Sequence, residues 1–259
     1  RDTDRSRGLG DVYKRQKHTY PILFKGMVIF MHIVEGKSVS HGKGSGRLVF
    51  IDGNHYNIPK TKVHNIDQEL ERFQKARADA MNQLQSIYER ALNKVSEANA
   101  KIFVIQQMMI HDQSFTQAIR NLIVNHAVSA QYAVSIVASK HISLLRSTND
   151  EYMQARTADI IDLSGRVIRI LLNLPDVNFF KRKNIVLYKY ILTPSEIIEL
   201  DSDIISAAVS YHGNRHSHSA ILARAMNIPG ITDINEDIRN FSGKLAVVDA
   251  DAGKIIIEP

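Results

Sequence analysis

The sequence predicts an α/β domain interrupted by an all-α insert, and three observations carry that reading. From Val63 to Leu174 there is no proline and a single glycine, Gly165, so more than a hundred residues run without the usual helix breakers. From Pro175 to Pro259 short β-rich runs alternate with helical ones. Ahead of the helical stretch lie only two strand-like runs, too little to form a core alone. They are expected to join the last stretch. The predicted bounds are 27–62 with 175–259 for the α/β domain and 63–174 for the helical bundle.

The elements follow in order. Arg1 to Gln16 holds five Arg/Lys and three Asp without apolar periodicity, and 1–26 is read as a non-native or disordered leader. Met27–Val34 and Arg47–Ile51 are strand-like, and the glycine-rich Gly36–Gly46 between them reads as a turn region. Ile66, Leu70, Phe73, Ala76, Ala80, Leu84, Ile87 and Leu92 keep the three-to-four spacing of an amphipathic helix. Further helical runs cover 102–109, 115–124, 127–145 and 152–174, with polar breaks near Asn99, at His111-Asp112 and at 147–150. Asn184–Tyr190 reads as a strand, Ser195–Leu200 as a helix opened by Thr193-Pro194, and Ile204–Ser210 as a strand. Leu245–Val248 and Lys254–Ile257 flank Asp249-Ala-Asp-Ala-Gly253 as a hairpin.

Composition narrows the function classes. The chain has 259 residues, 44% of them apolar and 23% charged, as expected of a globular protein. It has no cysteine, which excludes disulfides and cysteine-ligated metals and fits a cytoplasmic location. The net charge of +6 is dispersed apart from 181–183, with no basic stripe interleaved with aromatics, so nucleic-acid binding is not expected. The longest apolar stretch, Tyr20 to Val34, is broken by Lys25, Gly26 and His32 and falls short of the ~20 residues of a membrane span.

The run Gly213-Asn-Arg-His-Ser-His-Ser-Ala-Ile-Leu-Ala-Arg224 carries the chemistry. Gly213 and Asn214 permit a tight turn, Ser217 or Ser219 can cap, and a helical pattern begins at Ala220. His218 then lies at a helix N-terminus, where a phosphoryl group is favoured. A neutral imidazole nitrogen attacks phosphorus without a general base. Arg215 offers a planar fork for phosphoryl oxygens.

These residues resemble enzyme I, the phosphoenolpyruvate–protein phosphotransferase of the bacterial sugar phosphotransferase system, over its N-terminal half. Gly36-Lys-Ser-Val-Ser-His-Gly42, Asp150–Asp159, Leu192-Thr-Pro-Ser-Glu196, Gly213–Arg224 and Val248–Pro259 resemble the family's motifs in order. The resemblance implies a swivelling phosphohistidine α/β domain with an inserted α-helical bundle that docks the small histidine phosphocarrier protein HPr. It implies that His218 is phosphorylated at Nε2 with phosphate from phosphoenolpyruvate and passes it to HPr. Arg215, Ser217, Ser219 and Thr193 would support the phosphate, and Glu97, Met108, Met109 and Phe115 would contribute to docking. In the family, phosphoenolpyruvate and Mg²⁺ bind a C-terminal barrel that also dimerises. No such barrel is seen in this sequence, so it is expected to hold no cofactor or metal itself and not to use phosphoenolpyruvate efficiently alone.

There are departures. Ile197 stands where the family often has a threonine that partners the histidine, so the ring must be oriented by another group. His216 replaces a threonine, and Asp112-Gln-Ser-Phe115 lacks two acids. Residues 63–174 carry 12 Arg/Lys and 11 Asp/Glu, which weakens steering toward a basic partner. Three other readings compete. His212, His216 and His218, with His41, have spacings seen in zinc sites, but no further ligand follows within five residues. A phosphohistidine domain of the pyruvate phosphate dikinase type has a similar loop but lacks the long insert. A degenerate enzyme I-like interaction module would bind a partner without phosphate flux.

Overall fold

The computed structural model describes residues 19–24, 27–52, 57–174, 183–201 and 203–258. Their strands form one mixed sheet: β1 (Thr19–Phe24), β2 (Met27–Glu35), β3 (Lys37–Ser40), β4 (Lys43–Phe50), β5 (Ile185–Lys189), β6 (Ile205–Ser210), β7 (Gly230–Thr232), β8 (Leu245–Asp249) and β9 (Lys254–Ile257). The spatial order is β1-β2-β9-β8-β4-β5-β6-β7-β3. At its centre β4, β5, β6 and β7 pair in parallel, and the flanking pairs are antiparallel. Every residue of β5, Ile-Val-Leu-Tyr-Lys, is buried, as a central strand covered on both faces requires.

The chain leaves the sheet after β4 and returns at β5. Between them lie α1 (Ile66–Leu92), α2 (Glu97–His111), α3 (Gln113–His126), α4 (Ala130–Arg146), α5 (Glu151–Ala155) and α6 (Thr157–Leu171). The predicted stripe holds from Phe73 to Ile87: Phe73, Ala76, Ala80, Leu84 and Ile87 are buried, and at the helix end Ala91 takes the buried place expected of Leu92, which is exposed. Asn65, Ser96, Asp112 and Asp150 cap α1, α2, α3 and α5 by accepting backbone N–H bonds. After β5 come α7 (Pro194–Glu199) and α8 (His218–Ala225).

Strand alternation divides the apolar residues. Ile185 and Leu187 of β5 face the helices, and Val186 and Tyr188 face the other side with Val248, Ile255 and Ile257. The core of the insert, including Leu84, Phe103 and Val167, is continuous with Ile185, Leu187, Ile197 and Leu222 of the α/β part. Polar contacts reinforce the seam. Asp162 Oδ2 accepts the Ser195 backbone N–H at 2.8 Å, and Arg166 Nη2 donates to Ser195 Oγ at 2.9 Å. Lys94 Nζ donates to the Ile198 and Leu200 carbonyls at 2.8 and 3.0 Å, and burial pushes its pKa down.

Four expectations are corrected. Thr19–Phe24 falls within the expected leader yet forms β1, which pairs antiparallel with β2; Arg1–His18 lie outside the described residues. The segment read as a glycine-rich turn contains β3 and the start of β4. Gly44 and Gly46 lie within β4 because an added Cβ would come 2.0 Å from the Ser206 carbonyl oxygen and 2.1 Å from that of Asn184. Those glycines serve close backbone approach. The break expected near Asn99 falls at 93–96, where Ser96 caps α2. The last run of the insert is divided at Arg156 into α5 and α6.

Candidate functional site

His218 is the first residue of α8. Ser217 precedes it with extended backbone, and its Oγ accepts the Ala220 N–H at 3.2 Å, the cap the sequence predicts. Ser217 Oγ and Ser219 Oγ are 2.9 Å apart, and both residues are buried. The loop before them is held by Asn214, whose Oδ1 accepts the His216 N–H at 2.8 Å and whose Nδ2 donates to the Glu151 carbonyl of the insert at 3.2 Å. Gly213 is required here, because a Cβ would meet Thr232 Oγ1 at 1.9 Å.

The imidazole points across the seam. His218 Nδ1 lies 2.9 Å from Asp159 Oδ2 on α6, with the His side chain 20% exposed and the Asp side chain fully buried. Asp159 sits in the first turn of α6, where the positive end of the helix offsets the cost of burying its charge. Arg156 Nη1 stands 3.7 Å from the same oxygen. The second oxygen, Oδ1, has no hydrogen-bond partner among the described residues. Sequence reading did not single out Asp159. It lies in the motif that closes the insert, but its partner is 59 positions away.

The predicted supporting residues divide. Ser217 and Ser219 flank His218. Arg215 is exposed on the preceding loop, and its carbonyl accepts from Arg224 Nη1 at 3.1 Å. Thr193 caps α7: its N–H donates to Glu196 Oε2 at 3.1 Å, and no hydrogen bond joins it to His218 among the described residues. Ile197, where a hydroxyl was expected, is buried in the wall of a cavity of about 330 Å³. Ser217, Ser219, Gly213 and Thr157 line the same cavity, which opens at the carboxyl ends of β5 and β6.

Among the docking candidates, Met108 and Glu97 are exposed on α2, a helix that packs beside α8, and Glu97 pairs with Lys101. Met109 and Phe115 are partly buried against the insert core, and Phe115 meets the His141 ring edge-on. The histidines of the competing metal reading do not converge. His41 bonds Asp251 at 2.9 Å, His212 packs edge-on against Tyr190, and His216 is exposed. Among the described residues no group of three or more His, Asp or Glu could hold a metal, and no helix is long and apolar enough to cross a membrane.

Comparison with known proteins agrees with this fold. The family described as "PEP-utilising enzyme, N-terminal" matches residues 35–156, and "PEP-utilising enzyme, mobile domain" matches 180–253. Phosphoenolpyruvate-protein phosphotransferase of Latilactobacillus sakei is 31% identical over 232 residues, and that of Priestia megaterium 30% over 230; each alignment covers 87% of this chain. The chain spans about 40% of the length of these relatives. A solution structure of enzyme I (nEIt) superposes with a TM-score of 0.65 at 27% identity, covering 87% of this chain and 93% of that one. The N-terminal domain of enzyme 1 – nitrogen shares the fold, with a TM-score of 0.56 at 20% identity over 87% of this chain and 94% of that one. The chain therefore belongs to the enzyme I family and corresponds to its N-terminal domain, a mixed α/β sheet with a helical bundle inserted.

Proposed function

We propose that this chain is the phosphoryl relay of a phosphotransferase system, accepting phosphate on His218 and passing it to a histidine of HPr. One observation carries the reading: His218 stands at the first turn of α8 with Nδ1 engaged and the ring one-fifth exposed, so Nε2 is the nitrogen left to meet a phosphoryl group. The hydroxyls of Ser217 and Ser219 and the α8 N-terminus suit a dianion at that atom. Arg215, exposed on the loop before α8, carries a planar fork that suits its outer oxygens.

Phosphate originates from phosphoenolpyruvate in this reading, bound by the part of the longer relatives that this chain does not span. In this reading Mg²⁺ is bound by that part as well. HPr docks on the insert, with Met108 as an exposed apolar contact on a helix that packs beside α8. Insert and α/β part correspond to 63–174 and to 27–62 with 175–259, and the exchange takes place in the cytoplasm.

The test is exchange with phospho-HPr. The expected product is an acid-labile, alkali-stable phosphate on His218, lost in His218→Ala. Label mapping to His216 overturns the assignment. Absence of label at any histidine leaves the interaction-module reading.

A further inference from the structure

We propose that a second cavity, in the seam between the insert and the α/β part, is a binding site for a small hydroxylated carboxylate of the sugar-acid type. The cavity measures about 300 Å³, at the lower end of what small-molecule sites enclose. Residues of α4 and α6 line it on the insert side, and the end of β5 and the start of α7 on the other. None of the Gly213–Arg224 run borders it, so it is separate from the His218 site.

Its inner end is charged. Lys189 is buried at the end of β5 and donates to Glu196 Oε1 on α7. Both oxygens of Glu196 are engaged, because Oε2 accepts the Thr193 N–H. Lys189 has capacity to spare: an ammonium carries three hydrogens, and no second acceptor for Nζ lies among the described residues. A buried donor without an acceptor is costly, and the cavity is the side from which an acceptor can come. At the open end stands Arg146, the exposed last residue of α4, with no carboxylate partner among the described residues. Two cations and one carboxylate leave a single positive charge uncompensated. A monoanion balances it, and a dianionic phosphate ester exceeds it.

Hydroxyl side chains complete the chemistry. Ser135 and Ser164 donate to the Tyr132 and Ile160 carbonyls of their own helices at 2.8 and 2.6 Å, so toward the cavity their oxygens act as acceptors. Acceptors of this kind pair with ligand hydroxyls, while Lys189 and Arg146 pair with a carboxylate. Gly165, the single glycine between Val63 and Leu174, lines the cavity from the middle of α6. Glycine there weakens the helix and leaves the cavity wall without a side chain. An occupant touches both parts of the molecule at once, so binding also stabilises the closed seam.

The test uses gluconate as the probe, with sorbitol as its uncharged counterpart and the phosphate ester of gluconate as its more highly charged one. Each is titrated into the nitrogen-15-labelled protein. Gluconate is expected to give saturable amide shifts around Ser164, Gly165 and Lys189 and to raise the melting temperature. Sorbitol is expected to do neither, and the phosphate ester to bind more weakly. Arg146→Ala, at an exposed position, should weaken gluconate binding roughly tenfold. Lys189→Met should weaken it further. Shifts that do not saturate, shifts centred elsewhere, equal shifts from sorbitol, or a phosphate ester that binds as tightly as gluconate overturn the proposal. So does an unchanged affinity in Arg146→Ala, which keeps the test decisive even if Lys189→Met, by leaving Glu196 unpaired, fails to fold.

Discussion

The α/β part and the helical insert hold His218 in different ways. The α/β part supplies what is local in sequence: the turn at Gly213-Asn214, the Ser217 cap and the first turn of α8. The insert supplies Asp159, distant in sequence and joined to the ring only when the seam between the parts is closed. The local half places the imidazole, and the distant half chooses which of its nitrogens is exposed. A histidine at a helix N-terminus is thus only part of the site, and the rest depends on packing more than a hundred residues of insert against the sheet.

The largest expected effect tests whether the two parts are energetically separate. Leu84 is fully buried in the insert, within the cluster that extends to Leu187 and Leu222. Leu84→Ala should cost about 2–5 kcal/mol. Because the core is continuous, melting should remain one transition followed alike by probes in α1 and at α8. Two separated transitions would break the picture of a single core.

A smaller effect isolates the local half. Ser217→Ala removes the α8 cap and should cost about 1 kcal/mol. The Asp159–His218 contact should persist, because Asp159 comes from the other side. Loss of that contact in this variant, read from the His218 ring resonances, would show that the cap, and not the insert, fixes the ring.

The smallest effect contrasts the caps themselves. Asp112 caps α3, and bonds from the Ser114 hydroxyl and the Phe115 N–H hold its carboxyl below the usual value. A depressed carboxyl contributes stability that is present above its unfolded pKa and fades as pH falls through the folded one. Amide protection in the first turn of α3 should therefore weaken toward acid pH, whereas the first turn of α8, capped by the uncharged Ser217, should not follow. Parallel loss at both would point to global unfolding instead.

Much of this was legible in the sequence, for physical reasons. Helical spacing exposed α1 because its apolar face is buried from Phe73 to Ala91, and Asp249–Gly253 announced the β8–β9 hairpin. Ser217 and His218 were readable because a cap and its helix are contiguous. Gly44 and Gly46 misled, since a glycine that admits a neighbouring backbone has the same letter as one that makes a turn. Thr193 was grouped with the histidine on motif grounds, and the bond that shows its place in the fold runs from its backbone N–H to Glu196 of α7. Asp159 was hidden because a pairing across the seam leaves no periodic trace in either segment.

The Asp159–His218 contact has one more consequence. Its two ends belong to the insert and to the α/β part, so any rotation of one against the other stretches this bond together with the seam contacts of Ser195 and Lys94. The ring resonances of His218 are therefore a built-in gauge of alignment between the two parts. A single isotopic label at one histidine would report in solution, without a ligand, how much of the time the molecule is closed.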